Sequence, residues 1–373
     1  LEFRRVLFRS ICNMRYLFIV QGDGRGHMTQ AIALSDILRR NGHEVVEVLV
    51  GKSKVRVIPD FFYQKIGAKV RTFDTLSFVF KKDKKRIHFL KTLLFNISPK
   101  RLRKYKKSIE KIHRRIQKNE PDVIVNFYEL LTGLTYLRFS TDIPIVNIGH
   151  QYLLKHPGYL HGKGDEQGMM FLRLHMLLCG VGATKTLALS FYPLKDYIPE
   201  RIAVVPPLLR SEILSLQPTT EDYILGYMLN HGYENEVRAW HEQNPDVKLH
   251  FFWDKQNVPK ELIVDENLTL HTIDDEKFLN FMSKCCGYIT TAGFESVCEA
   301  LYLGKAIMMI PAHIEQEVNA VDVISFGGGI VGNNFDMSVL LNYMKTKQQS
   351  DDSFREWVNS AEQTFLRHLT TLA

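Results

Sequence analysis

Thr290-Thr291-Ala292-Gly293-Phe294-Glu295-Ser296-Val297-Cys298-Glu299-Ala300-Leu301 follows the apolar run Gly287 to Ile289 and leads through Gly304 and Pro311 to Glu315-Gln316 and Asn319. The order is strand, small-residue turn, helix. The first N–H groups of such a helix have no partner within it, so they face whatever lies beyond the turn and suit a phosphate. Polar residues then recur at the carboxyl ends of successive strands, which is where open α/β sheets bind small molecules.

Working outward, Tyr223 to Met228, Leu249 to Trp253, Leu268 to Thr272 and Ala306 to Ile310 read as further strands of the same alternation. The amino-terminal half repeats it. Arg15 to Val20 closes on Gly22, Gly24 and Gly26, a helix follows with apolar Ala31, Ile32, Leu34, Ile37 and Leu38, and Asn41-Gly42 stops it before the strand Glu44 to Val50. Such a βαβ unit implies a parallel sheet. Asp122 to Phe127, Pro144 to Ile148 and Thr186 to Ser190 are nearly continuous apolar runs, as strands covered on both faces require. Pro206-Pro207 and the polar Gln217-Pro218-Thr219-Thr220 break the pattern and mark a linker.

A chain of 373 residues is too long for one comfortable core, so two α/β domains are expected. Residues 14–207 form the first and 208–352 the second. Residues 1–13 read as a non-native leader, because they precede the first strand and carry Glu2-Phe3, as a cloning site would encode, among scattered arginines. The net charge of +7 falls only slightly without them. Five cysteines lack metal-ligand spacing and read as reduced thiols of a cytoplasmic protein. The longest apolar run, Met169 to Ala183, is broken by Arg173 and His175 and falls short of the ~20 residues a membrane span needs. No Asp-x-Asp motif or histidine spacing points to a metal.

The ordered set Gly293, Ser296, Glu299, Gly304, Pro311, Glu315 and Gln316 resembles the donor site of GT-B glycosyltransferases, in particular the bacterial UDP-N-acetylglucosamine transferases of peptidoglycan synthesis and related UDP-glycosyltransferases. The resemblance implies two Rossmann-like domains facing across a cleft, with the last helix, within 353–373, packing back on the first. It implies that Thr291, Gly293, Ser296 and the helix N–H groups hold the diphosphate. Glu299 would take the ribose hydroxyls, Glu315 and Gln316 the sugar hydroxyls, and the main chain near Ile273 the uracil edge. Three departures stand out. The turn is Thr-Ala-Gly, and Glu295 stands where a small residue is frequent. Leu229-Asn230-His231-Gly232 also lacks the usual Gly-Ser phosphate turn.

Gln21-Gly22-Asp23-Gly24-Arg25-Gly26-His27 is not a dinucleotide fingerprint, since its third glycine comes one residue early and, of the acidic residues at about the right distance, Glu44 and Glu47, the latter sits inside a strand rather than at its end. It resembles the Gly-rich loop of UDP-glycosyltransferases, with Gly24 and Gly26 closing over the donor phosphates. His27 at the helix start would stay neutral and serve as the base that takes the acceptor hydroxyl proton. A plain helix cap is the competing explanation. Glu129, past the strand ending at Phe127, is expected to orient His27, and His150 and Gln151 to touch the acceptor.

Lys81 to Lys118 interleaves basic residues with Phe and Leu. A solvated helix face, an anionic membrane surface and nucleic acid all fit such a run; lipid ranks above nucleic acid, for which no recognition motif is present. Together these residues predict an inverting, metal-independent glycosyltransferase without a cofactor, which moves a sugar from a UDP-sugar to a hydroxyl of a lipid or glycan and rests in the cytoplasm or on the inner membrane face. A UDP-sugar 2-epimerase of the same fold, and a non-catalytic nucleotide-sugar or nucleic-acid binding protein, are the alternatives.

Overall fold

The apolar runs assemble into two seven-stranded sheets in the computed structural model, which describes residues 13–53, 57–77, 79, 88–159, 165–228, 231–255, 257–346 and 352–372. The first sheet holds β1 (Arg15–Gln21), β2 (Glu44–Lys52), β3 (Val70–Asp74), β4 (Val123–Phe127), β5 (Ile145–Ile148), β6 (Lys185–Leu189) and β7 (Ile202–Val205). Its order is β3-β2-β1-β4-β5-β6-β7, and every pair is parallel. Its helices are α1 (Arg25–Arg40), α2 (Asp60–Lys65), α3 (Phe89–Asn96), α4 (Pro99–Asn119), α5 (Leu130–Arg138) and α6 (Glu166–Cys179).

Two-sided burial explains the unbroken apolar character of β1. Tyr16, Phe18 and Val20 enter the core built with Met28, Leu34 and Leu38 of α1, while Leu17 and Ile19 enter the opposite core with Tyr105, Ile112 and Ile116 of α4. Helix α1 ends at Asn41, and Gly42 follows at φ 77°, a conformation glycine adopts without steric cost.

A short helix, α7 (Ser211–Ser215), lies within the linker. The second sheet contains β8 (Ile224–Met228), β9 (Leu249–Trp253), β10 (Glu261–Ile263), β11 (Leu268–Thr272), β12 (Gly287–Thr290), β13 (Ala306–Met309) and β14 (Ile330–Val331), ordered β10-β11-β9-β8-β12-β13-β14. Only β10 runs antiparallel to its neighbour. Helices α8 (Glu234–Gln243), α9 (Asp275–Lys284), α10 (Phe294–Tyr302), α11 (Ile314–Ser325) and α12 (Met337–Thr346) accompany it. Strand order reverses between β1 and β4 and between β8 and β12, so the loops after these strands open into a crevice. Two of those loops hold a non-glycine residue in the left-handed region, Tyr128 at φ 58° and Ala292 at φ 62°. Each such residue costs about 1–2 kcal/mol, strain that clusters at functional sites.

The single terminal helix expected within 353–373 is two, α13 (Ser353–Asn359) and α14 (Ala361–Thr370). Ser360 separates them, its hydroxyl donating to the Trp357 carbonyl at 2.7 Å, a competing bond that bends helices. α13 packs on α10, and α14 packs on α1 and β7. Trp357 Nε1 donates to the Ser190 carbonyl at 2.9 Å, and Glu362 receives both Arg40 and Asn41 at 2.7 Å. The chain therefore crosses between the lobes twice.

Several expectations fall outside the described residues: the leader up to residue 12, Leu229-Asn230, and the Lys81 to Arg86 part of the basic segment. The rest of that segment is α3 and α4. Part of its charge is committed internally, since Arg115 binds the buried Glu47 at 2.6 Å and Arg101 lies 3.9 Å over the Phe95 ring. Lys100, Arg103, Lys106 and Lys107 face outward beside exposed Leu90, Leu93, Leu94 and Ile97.

Candidate active site

Between the lobes lies a cavity of about 310 Å³. Gly24, Gly26, His27, His150 and Gln151 line it from the first lobe, and Ile273, Gly293, Ser296, Glu299, Glu315 and Gln316 from the second. Thr291 and Glu129 stand behind this wall rather than on it.

His27 owes its position to the glycine loop. Gly24 caps α1 in an extended conformation, and a Cβ there would lie 2.8 Å from the His27 Cδ2, so a larger residue would displace the ring. The ring stacks on Tyr128 at 5.6 Å between centroids, a contact the left-handed backbone of Tyr128 makes available. Burial holds the imidazole below its ordinary value of 6.5, with Glu315 and Gln30 opposing. Nδ1 has no hydrogen-bond partner among the described residues. A buried, neutral ring with a free nitrogen is what a general base needs.

Glu129 does not orient that ring. Its Oε1 accepts from Leu131 N at 3.1 Å and Thr75 Oγ1 at 2.6 Å, so it caps α5. The turn at Tyr128 aims it under β2, where it leaves no room for a Cβ on Gly51. Burial pushes its carboxyl up to about 7. The carboxylate that acts on His27 belongs instead to Glu315, in the other lobe.

On the second lobe, Gly293 caps α10 without a side-chain bond, so the first N–H groups of the helix point at the cavity. Ser296 Oγ sits one turn in and donates back to the Gly293 carbonyl at 3.3 Å. Glu299 is buried and was expected to offer both oxygens to a ribose, but Oε1 already accepts from Arg210, at 2.9 Å for Nε and through Nη2 as well. Arg210 Nη1 reaches Asp275, which also receives Lys65 at 2.9 Å. Burial raises the Glu299 carboxyl while Arg210 pulls it down. Arg210 escaped the sequence reading; its one signal is that it is the basic residue ending the apolar linker Pro206 to Leu209.

Gln316 is held at both ends of its amide: Oε1 accepts from Ala312 N at 2.9 Å, and Nε2 donates to Thr291 Oγ1 at 3.3 Å. Thr291 therefore supports Gln316. Asn319 Nδ2 donates to the Ala292 carbonyl at 3.0 Å and pins the strained turn. Glu315 Oε1 accepts from Gln151 Nε2 at 2.8 Å across the cleft, while Gln151 Oε1 has no partner among the described residues.

His150 is occupied at both nitrogens. Nδ1 meets the Leu189 carbonyl at 2.8 Å, Nε2 meets Tyr159 Oη at 3.1 Å and Asp322 at 3.4 Å, and the ring stacks on Phe294 at 4.3 Å. Burial pushes it down to about 4, so it braces the wall as a neutral ring. His175 of α6 lines the cavity as well, beside apolar Phe61, Phe171 and Leu172. In the sequence it showed only as an interruption of an apolar run. Among the described residues no group of three or more His, Cys, Asp or Glu is placed to share a metal ion.

Residues 14–346 match the family model of glycosyl transferase family 1. An uncharacterized glycosyltransferase of Methanosarcina acetivorans is 24% identical over 342 residues, spanning 85% of this chain and 83% of that protein. Among solved structures, Arabidopsis thaliana UGT89C1 complexed with UDP-L-rhamnose superposes with a TM-score of 0.63 at 14% identity, covering 96% of this chain and 99% of its own. Acinetobacter baumannii MurG does so with a TM-score of 0.54 at 14% identity, over 96% and 99% of the two chains. The spinosyn rhamnosyltransferase SpnG complexed with thymidine diphosphate gives 0.58 at 13% identity, over 95% and 100%. These likenesses speak for the fold, and the family match covers nearly the whole chain: the protein belongs to glycosyl transferase family 1 and is a glycosyltransferase of the GT-B fold.

Proposed function

We propose that the enzyme moves a sugar from a UDP-sugar to a hydroxyl of a lipid or glycan by direct, inverting displacement without a divalent metal. The observation that carries this is the single cleft in which His27 of one lobe faces the bare start of α10 in the other. His27 takes the acceptor proton as the hydroxyl oxygen attacks the anomeric carbon, and the bond to the diphosphate oxygen breaks. The N–H groups of α10, with Arg210 nearby, receive the charge of the departing diphosphate. Glu299 and the main chain at Ile273 hold the nucleoside, while Glu315 and Gln316 hold the sugar. Gln151 Oε1 and the apolar wall of Phe61, Phe171 and Leu172 receive the acceptor. UGT89C1 with UDP-L-rhamnose and SpnG with thymidine diphosphate support a nucleoside-diphosphate donor.

A screen of UDP- and dTDP-sugars with lipid and glycan extracts in EDTA tests this. Nucleoside diphosphate release that needs both sugar nucleotide and acceptor is the expected result. Turnover lost in EDTA and restored by magnesium or manganese removes the metal-free mechanism. Release of UDP without any acceptor points to the epimerase.

The outward residues of α3 and α4 support a lipid-linked acceptor, as do Met170, Leu174 and Leu177, the exposed stripe of α6, whose inner face carries Phe171 and His175 into the cleft. α5 packs against both α4 and α6. Each basic residue near an anionic surface contributes about 1 kcal/mol. Co-sedimentation with anionic but not with neutral vesicles is expected, weakening with salt; equal recovery with both, or with neither, removes the membrane assignment.

A further inference from the structure

Glu295 stands in the first turn of α10 on the cavity wall, and only 8% of it is exposed. Its Oε2 accepts a hydrogen bond from Gln30 Nε2 of α1 at 3.1 Å, so the contact bridges the lobes. Oε1 has no hydrogen-bond partner among the described residues. The backbones allow little slack there, since a Cβ on Gly26 would lie 3.3 Å from the Glu295 Cβ. An ionised carboxylate in this place would face the diphosphate that the start of α10 is built to bind, and two anions in a dry cleft repel strongly. A carboxylic acid reverses the sign of that contact. Its hydroxyl donates to a phosphoryl oxygen while its carbonyl oxygen keeps accepting from Gln30.

We propose, resting on the sugar-nucleotide assignment above, that Glu295 is a specificity-determining residue that works as the neutral acid, donating a hydrogen bond from Oε1 to the diphosphate of the donor and making donor binding proton-dependent. The surroundings favour that form. Burial pushes the carboxyl well above the usual carboxylate range, Glu299 one turn along α10 adds to the rise, and Gln30 of α1 and Arg210 of the linker oppose it. Cys298 of α10 is a thiol pushed up first by burial and then by Glu295, and so neutral, and His27 of α1, which lines the same cavity, is kept neutral by burial. Because the protonated form binds, affinity is fully present below the carboxyl pKa and is lost as pH rises through it.

Calorimetry with UDP-glucose, whose phosphate charges are fixed between about pH 5.5 and 8.5, reads this directly. Wild-type affinity is expected to hold at the acid end and then fall, approaching tenfold per pH unit with uptake of one proton. E295Q keeps an N–H donor at the same place, so it should match acid wild type to within about threefold and stay flat with pH. E295A should lose roughly tenfold at the acid end and also stay flat. Glu129 and Asp322, both pushed up to about 7 by burial, titrate in all three proteins, so the difference between wild type and E295Q isolates Glu295. A flat wild-type profile, the same slope in E295Q, or acid-end affinity unchanged in E295A overturns the proposal alone. Failure of the wild type to bind any sugar nucleotide at any pH overturns the donor assignment as well.

Discussion

Turnover of the His27→Ala enzyme is expected to fall by roughly 10²–10⁴, the usual worth of a general base, while donor affinity stays close to that of the wild type. The ring lies on the first lobe's wall of the cleft, stacked on Tyr128, and its Nδ1 has no hydrogen-bond partner among the described residues. The pH profile carries the second half of the expectation. Burial lowers the His27 pKa below 6.5, so the wild-type rate should be level at neutral pH and decline only as acid protonates the ring below its ordinary titration range. That acid limb should vanish in His27→Ala. A fall in donor affinity that accounts for the whole loss would make His27 a binding residue. Near-normal turnover would move the proton to another group, and His175 is then the next to replace, because the nitrogens of His150 are engaged and Glu129 is turned away.

The second large effect concerns stability. Replacing Arg210 by Ala leaves Glu299 buried without the guanidinium that neutralises it and Asp275 with Lys65 alone, and breaking a buried pair from one side costs about 3–5 kcal/mol. The sign of its pH dependence follows from the partners. Arg210 holds the Asp275 carboxyl below its ordinary value of 3.8, so it contributes stability that is present above the unfolded pKa and lost as pH falls through the folded one. The variant lacks that contribution everywhere. Urea unfolding at about pH 7.5 should therefore show the full deficit, and at about pH 4.5 a smaller one, as the stranded Glu299 carboxylate takes up a proton. A deficit of equal size at both would trace it to lost packing rather than to stranded charge.

What was legible in the chain was whatever repeats locally. Buried parallel strands are apolar end to end, so β1, β4, β5 and β12 announce themselves, and the turn from Thr290 to Gly293 marks the site because helix, turn and strand are contiguous. Short edge strands such as β10 and β14 carry too few residues for a period to show. Ser360 divides the last helix by a hydroxyl bond that no hydropathy pattern records. Two of the site residues that went unseen, Arg210 and Gln30, are fixed by partners far along the chain: Arg210 meets Glu299 89 residues on, and Gln30 meets Glu295 only once both lobes exist. Glu129 went astray for the same reason, since its direction is decided by the backbone of Tyr128 and by Thr75 on a separate strand loop.

The double crossing of the chain, once after β7 and once before α14, sets the mechanics of the cleft. A lobe tethered at one point can swivel in any direction, whereas two tethers leave the line through them as the easy axis. Any opening of the cleft is then confined to a door-like swing in one degree of freedom, which returns His27 to the same place opposite α10. Catalytic register is thus a property of the two strings that tie the halves together as much as of the residues that meet between them.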